Sequence, residues 1–226
     1  MTTSPAILAI GVVDAHGVHG TSGLRSSWNE LGGESPGDRR TFTKLFGRRD
    51  PTFRRLDGQT RAIVLAAEAC GISQVLSVEE RDETALITET SRGSIEIDLR
   101  YTRSLERDVV EAAIFPYTLQ STCLGDIALR HGLRGPTVCL STETTDEGEA
   151  LREAQRFFAA GALRHAVVAL TDVQTESIPS ADRTARSVVC VLSSDPKATS
   201  IVPWPQASKR PFEGLAEACY ARSANQ

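Results

Sequence analysis

Two continuous apolar runs of strand length, Ala166–Leu170 and Val188–Leu192, constrain the fold of this chain more than any other feature. A strand with one face in water alternates apolar and polar residues, whereas a run without alternation has to be covered on both faces. The longer run Ala6–Val13 and the segments Thr84–Thr88 and Thr137–Ser141 also read as strands. Between them the apolar period changes to that of a helix. Gln59–Cys70 spaces Ala62, Ile63, Ala66, Ala67 and Cys70 along one face with Gly71 as a stop, and Ser121–Leu133 does the same through Leu124, Ile127 and Ala128 before Gly132. This alternation predicts an α/β fold: a mixed, mostly parallel sheet with helices packed on it.

The remaining segments are assigned with less help from periodicity. Glu89–Ser94 reads as a polar turn, Ile95–Leu105 as a short helix and Gly148–Ala160 as a helix closed by Gly161. Ser35–Leu56, rich in Gly, Arg and Lys, has little apolar period and reads as a connection. Gly17–Gly23 is Gly-rich but lacks the Gly-Lys-Ser/Thr end of a phosphate loop, so it reads as a surface loop carrying His19, with His16 just ahead of it. Pro196, Pro203, Pro205 and Pro211 predict an extended tail before a last helix near Gly214–Tyr220. With no internal repeat, the division is one domain over 1–195 and a Pro-rich tail over 196–226.

Composition removes several function classes. The 226 residues carry a net charge of −4 with scattered Lys and Arg, which lacks the electrostatic footprint of a nucleic-acid binder. Ala6–Val13 is too short to span a bilayer and no basic segment precedes it, so a cytoplasmic protein without a membrane partner is expected. Cys70, Cys123, Cys139, Cys190 and Cys219 are odd in number and irregularly spaced, which fits reduced, mostly buried thiols rather than disulfides or a metal site. Neither a metal nor a cofactor is expected; His16 and His19 would need further converging ligands.

Glu149, Arg152, Glu153 and Arg156 fall on one face of the Gly148–Ala160 helix, and Ala150, Leu151, Ala154, Phe157 and Phe158 on the other. One side therefore expects water, with Glu149–Arg152 and Glu153–Arg156 paired at i,i+3. Ahead of this helix, Thr144-Thr145-Asp146-Glu147 fits a capping box, in which the threonine accepts from a helical N–H and the glutamate reaches back. Together with Glu143 and Glu149 these acids place negative charge at the positive end of the helix dipole.

The stretch Gly132-Leu-Arg-Gly-Pro-Thr-Val-Cys-Leu-Ser-Thr-Glu-Thr144 resembles the β-ketoacyl synthase family of the thiolase superfamily, whose members run from a Gly-Pro turn along a strand into an Ala-Cys-Ser nucleophile elbow. Here the elbow reads Glu143-Thr144-Thr145. The resemblance extends from Ala6–Val13 through Arg55-Leu56-Asp57 and the loop Phe115-Pro-Tyr-Thr-Leu-Gln-Ser121 to Arg186–Leu192, where it ends. It implies a stand-alone N-terminal half of a ketosynthase fold, without the second half that brings the two histidines. Within the family the chain is similar to the short chain-length-factor-like proteins of aryl polyene and type II polyketide systems.

That resemblance implies a subunit without its own chemistry. A threonine hydroxyl is far less acidic than a cysteine thiol, and acids around it oppose a thiolate or an enolate, so the capping role is preferred for Thr144. The implied partner is an active β-ketoacyl synthase, in a heterodimer, or a second copy of the chain; acyl carrier protein is a further candidate. Thr137–Ser141, with Val138 and Cys139, would be the strand paired across the interface, and Phe115, Tyr117, Thr118, Leu119 and Thr122 would line or close the partner's acyl tunnel. Two alternatives remain: a diverged acyltransferase or thioester hydrolase using Thr144, and a homodimeric module that binds acyl chains or carrier protein.

Overall fold

The computed structural model describes residues 4–32, 40–107, 110–143, 148–172, 186–205 and 210–223. Among these, seven strands form one sheet: β1 (Ala6–Val13), β2 (Gly17–Gly20), β3 (Arg25–Ser27), β4 (Ala85–Thr90), β5 (Thr137–Ser141), β6 (His165–Asp172) and β7 (Arg186–Ser193). Their order is β3-β2-β1-β7-β6-β4-β5. The sheet is mixed, but β4–β5 and β4–β6 are its parallel pairs while β1–β2, β2–β3, β1–β7 and β6–β7 are antiparallel. The expected preponderance of parallel pairing is thus corrected. An apolar run records burial on both faces and is silent on the direction of its neighbours.

The helices are α1 (Thr41–Phe46), α2 (Gly58–Cys70), α3 (Ile72–Val75), α4 (Val78–Asp82), α5 (Ile95–Glu106), α6 (Thr122–His131), α7 (Glu149–Ala159) and α8 (Pro211–Ser223). One face of the sheet carries α2 and α6, and the other carries α7 and α8. α2 starts at Asp57, whose carboxylate accepts from the Thr60 N–H at 2.8 Å and from its hydroxyl at 2.6 Å. It stops at Gly71 in the left-handed conformation, as expected. Its apolar face was expected to be a stripe, yet nearly every α2 side chain is buried, because α2 is wrapped by β1, β2, β7 and α6. The approach to β1 depends on Gly11: a Cβ there would lie 2.0 Å from the Ala66 carbonyl oxygen and 2.5 Å from the Cys70 nitrogen.

Three segments depart from expectation. Gly17–Gly20 is strand β2 rather than loop, paired to β1 through Val12↔His19 and extended by β3, and His19 is buried. Four residues with two glycines carry no strand pattern of their own; the register is imposed by β1. In Ser35–Leu56, α1 and the 3-10 turn Phe53–Arg55 bury Phe42 and Phe53, whose rings lie 5.1 Å apart, with Phe46 4.7 Å from Phe42. Six helical residues are too few to display a period. Glu89 and Thr90 belong to β4 instead of a turn, and both are buried.

α7 has the two-sided character expected of it. Ala150, Leu151 and Ala154 are buried, while Arg152 pairs with Glu149 at 2.8 Å and Arg156 with Glu153 at 2.7 Å on the outer face. The last helix runs three residues further in each direction than its sequence pattern, over Pro211–Ser223, and seals the sheet with Phe212, Leu215 and Cys219. The segment ahead of it is tied to β1 by the Ile201 N–H, which donates to the Ile7 carbonyl at 2.8 Å.

Candidate functional site

The carboxyl ends of the parallel strands β4, β5 and β6 converge where α7 begins, the place where open α/β sheets hold ligands and reactive groups. Two carboxylates organise this end. Glu89, with no exposed surface, accepts from the N–H of Gly148 at 3.1 Å and of Ala150 at 2.9 Å. Asp172, at the end of β6, accepts from the Thr90 hydroxyl at 2.9 Å, the Ser91 hydroxyl at 2.6 Å and the Ser91 and Arg92 N–H groups at 3.1 and 3.2 Å. Thr90 is also an acceptor, from the Gly93 N–H at 2.9 Å and the Gln59 amide at 3.3 Å, so the turn after β4 is held from several sides. The Thr142 N–H reaches back to the Thr90 carbonyl at 3.2 Å and fixes the exit of β5.

The elbow residues Thr144, Thr145, Asp146 and Glu147, and with them the expected capping box, lie outside the described residues. Glu143 is exposed. α7 itself begins at Glu149, with left-handed Gly148 in its cap position, and among the described residues its first amides are satisfied by Glu89. An acceptor from β4 thus occupies two N–H groups at the helix end whose dipole would otherwise stabilise a thiolate or an oxyanion.

The thiols of Cys70, Cys123 and Cys190 are buried. Burial pushes Cys70 and Cys123 well above the ordinary thiol range, and Cys190 up to about 12. Cys139 is only half-buried rather than the buried residue expected of it. β5 is an edge strand, with β4 on one side and no neighbour on the other among the described residues. Of the histidines, His131 ends α6 and His165 begins β6.

The residues expected at a subunit contact form a second cluster, along β5. Ala112–Thr118 is a 3-10 turn in which Phe115 is 57% and the following Leu119 63% exposed. Tyr117 is half-buried against the core on the α2 face. The turn is tied by the hydroxyls of Thr118 and Thr122, which donate to the carbonyls of Phe115 at 2.7 Å and Pro116 at 2.6 Å. Gln120 joins it to β5: its side-chain oxygen accepts from the Cys139 thiol at 3.9 Å and its carbonyl from the Cys123 thiol at 3.1 Å. Cys139 on β5 is thus tied to the turn through Gln120 and, like Tyr117, packs on the α2 face of the sheet, whereas Val138 packs on the face that carries α7 and α8. Glu89, Asp172 and Gln120 escaped the sequence reading. The only signal for the first two was a carboxylate closing an apolar strand run, Ala85–Thr88 or Ala166–Leu170.

Comparison with solved structures is decisive for the architecture. The ishigamide ketosynthase/chain length factor superposes with a TM-score of 0.65 at 17% identity, covering 89% of this chain and 65% of its own. The fold is ketosynthase-like. The ketosynthase ApeO in complex with its chain length factor ApeC from Xenorhabdus doucetiae matches with a TM-score of 0.61 at 13% identity, over 98% of this chain and 92% of the matched one. AntDE:AntF, a type II PKS acyl-carrier protein in complex with its ketosynthase bound to the hexaketide, matches at 0.54 and 11% identity, over 85% of this chain and 63% of the matched one. The chain thus spans about two thirds of the length of two of these ketosynthase-like relatives. No known family profile and no curated protein sequence matches it. Among the described residues no helix is long and apolar enough to cross a membrane, and no group of three metal-ligating side chains converges.

Proposed function

We propose that this chain is a non-catalytic ketosynthase-like subunit that pairs with an active β-ketoacyl synthase and shapes its acyl tunnel, in the manner of a chain length factor. The observation that carries the reading is the fully buried Glu89 side chain, whose carboxyl oxygens occupy the first amides of α7 where acyl transfer would need donors free. The β5 edge, without a neighbour among the described residues, and the exposed Phe115 and Leu119 give the subunit a surface to be covered. Covered by a ketosynthase, the turn Ala112–Thr118 would abut the partner's tunnel, and its bulk would set the length of chain that fits. An acyl carrier protein is a third component of such an assembly.

The test is recovery of the tagged protein from its native host at low salt, followed by mass spectrometry of what accompanies it. An equimolar ketosynthase with a cysteine nucleophile is the expected result, and Leu119→Ala in that complex lengthens the products. A homodimer recovered alone, with an acyl adduct on Thr144, would overturn this reading in favour of a diverged acyltransferase or thioester hydrolase. A homodimer without an adduct that binds carrier protein would point to a binding module.

A further inference from the structure

The two ends of α8 are fastened to the sheet by different means. At its start Phe212 is buried, with the Arg186 guanidinium 4.7 Å from the centre of its ring, and Pro211 packs on Gly148, where a Cβ would lie 2.8 Å from the proline ring. At its end Tyr220 holds α8 to the β1–β2 hairpin: its ring meets that of His19 edge to face at 4.7 Å and 75°, and its hydroxyl donates to the Asp14 carboxylate. Arg222 adds a bond to the Ile201 carbonyl at 3.1 Å. The first fastening contains no histidine; the second does.

His19 is 7% exposed, and neither ring nitrogen has a hydrogen-bond partner among the described residues. A neutral imidazole is held there at some cost, whereas an imidazolium, with a charge and two N–H donors, is far more expensive to keep without water. Burial accordingly keeps the His19 imidazole below the ordinary 6.5; Asp14 and Glu30 work against that, Arg25 and His16 with it. These four are the charged and titratable groups around the ring besides Tyr220. On α8 itself Glu213 and Glu217 are exposed, and Arg222 is turned to Ile201. The Asp14 carboxylate is already an acceptor, from the Tyr220 hydroxyl and from the His16 backbone N–H at 2.8 Å.

A protonated His19 therefore has two ways to be satisfied. It can take the Asp14 carboxylate from Tyr220, or it can turn into the open cleft of about 680 Å³ that His19 and Tyr220 line together with His16, Arg25 and Glu30. Either movement breaks the contact that holds the end of α8. We propose that His19 is an acid-operated latch: neutral, its ring holds Tyr220 and the helix end lies on the sheet; protonated, it lets go of residues 217–222 while Phe212 keeps the start of α8 in place. Release uncovers the parts of β1 and β2 that α8 covers. With the helix end released, His19 meets water and takes up its proton at the ordinary value, so docking is unopposed above pH 6.5 and weakens as the pH falls below it. The latch is at the opposite end of the sheet from β5 and is independent of the subunit contact there.

The test is amide hydrogen exchange of the full chain at about pH 7.5 and about pH 5, corrected for the intrinsic effect of pH on exchange. The expected result is that residues 217–222 exchange at least about threefold faster at the lower pH while Val188–Leu192 of β7 do not, and that the ring resonances of His19 titrate below 6.5 with the same midpoint as the exchange. His19→Phe keeps an edge-to-face ring and cannot be protonated, so in that variant the helix end is equally protected at both values. Equal acceleration in β7, unchanged exchange at the helix end, or titration of His19 at or above 6.5 would each overturn the proposal on the unaltered protein. Acceleration that persists in His19→Phe would assign the effect to another group and overturn it as well.

Discussion

The carboxylate of Glu89 accepts a 2.9 Å hydrogen bond from the backbone N–H of Ala150, so the helix that follows the elbow is capped by a strand residue from the other side of the sheet's parallel edge. A cap drawn from so far along the chain ties the start of α7 to the end of β4 and engages the Gly148 and Ala150 amides.

Replacing Glu89 by Gln keeps the shape but puts a donor in place of one of the two acceptors that serve the amides of Gly148 and Ala150. The expected cost is about 2 kcal/mol, within the range for leaving a buried polar group unsatisfied. Urea unfolding measures it, and faster hydrogen exchange at Ala150 than at the C-terminal end of α7 locates it. Unaltered exchange at Ala150 would show that the cap is not energetically coupled to the helix.

Stability is expected to fall as the solution is acidified from pH 6.5 towards 4. Burial, reinforced by the guanidinium groups of Arg130, Arg81 and Arg48, pushes the His131 imidazole from 6.5 down to about 4. Between those values the unfolded chain takes up a proton that the folded chain refuses, so His131 costs nothing above pH 6.5. Its penalty grows as pH falls and levels off below about 4, at a total on the order of 3 kcal/mol. Denaturation midpoints over pH 7 to 4 give the slope, and His131→Gln should flatten it relative to the unaltered chain.

Gly11→Ala and Gly125→Ala should act in opposite directions. A methyl at Gly11 meets the backbone of α2, which cannot withdraw, and the expected loss is about 3 kcal/mol. Gly125, inside α6 with open space around it, is expected to gain roughly 0.5–1 kcal/mol from the better helix former. Thermal melts of the two variants side by side check both signs.

Arg130 bridges the carboxylates of Asp50 and Asp126, its side chain only 13% exposed, and its guanidinium lies 5.8 Å from the Phe42 ring centre. Arg130→Ala leaves two carboxylates sharing a poorly hydrated site and is expected to cost about 3 kcal/mol. Asp50→Asn in the same background should recover part of that loss. Strict additivity of the two changes in urea unfolding would mean that the bridge contributes no coupling.

What the sequence made legible was set by whether an element carried its own signal. Ala166–Leu170 and Val188–Leu192 could only be buried strands, and α2, α6 and α7 announced themselves through apolar spacing closed by glycine. The hairpin β2–β3 did not, because Gly17-Val-His-Gly20 is a strand only by virtue of its register with β1. Strand direction was likewise invisible, since antiparallel β6–β7 and parallel β4–β6 are built from the same kind of apolar run.

Of the candidate sites, the β5 edge and the Phe115–Leu119 turn were expected from family resemblance, and the Gln120–Cys139 contact that ties β5 to the residues after that turn came only from the fold. The capping box expected at Thr144 lies outside the described residues; the contact of Glu89 with the start of α7 spans some sixty positions, and no local motif encodes it. The bond from the Tyr220 hydroxyl to the Asp14 carboxylate was missed entirely, because the two lie about two hundred positions apart and meet only when α8 docks.

β1 sits between β2 and β7, and its pairing with β7 joins Ala6 to Ser193. On a ribosome adding roughly 5–20 residues per second, the first strand emerges ~10 to 40 s before the strand that completes its pairing. Throughout that interval β1 has an apolar edge open to neighbouring nascent chains, so the yield of soluble protein should depend on how quickly synthesis delivers β7, and slow translation of the intervening stretch is the condition under which this chain is most exposed to aggregation.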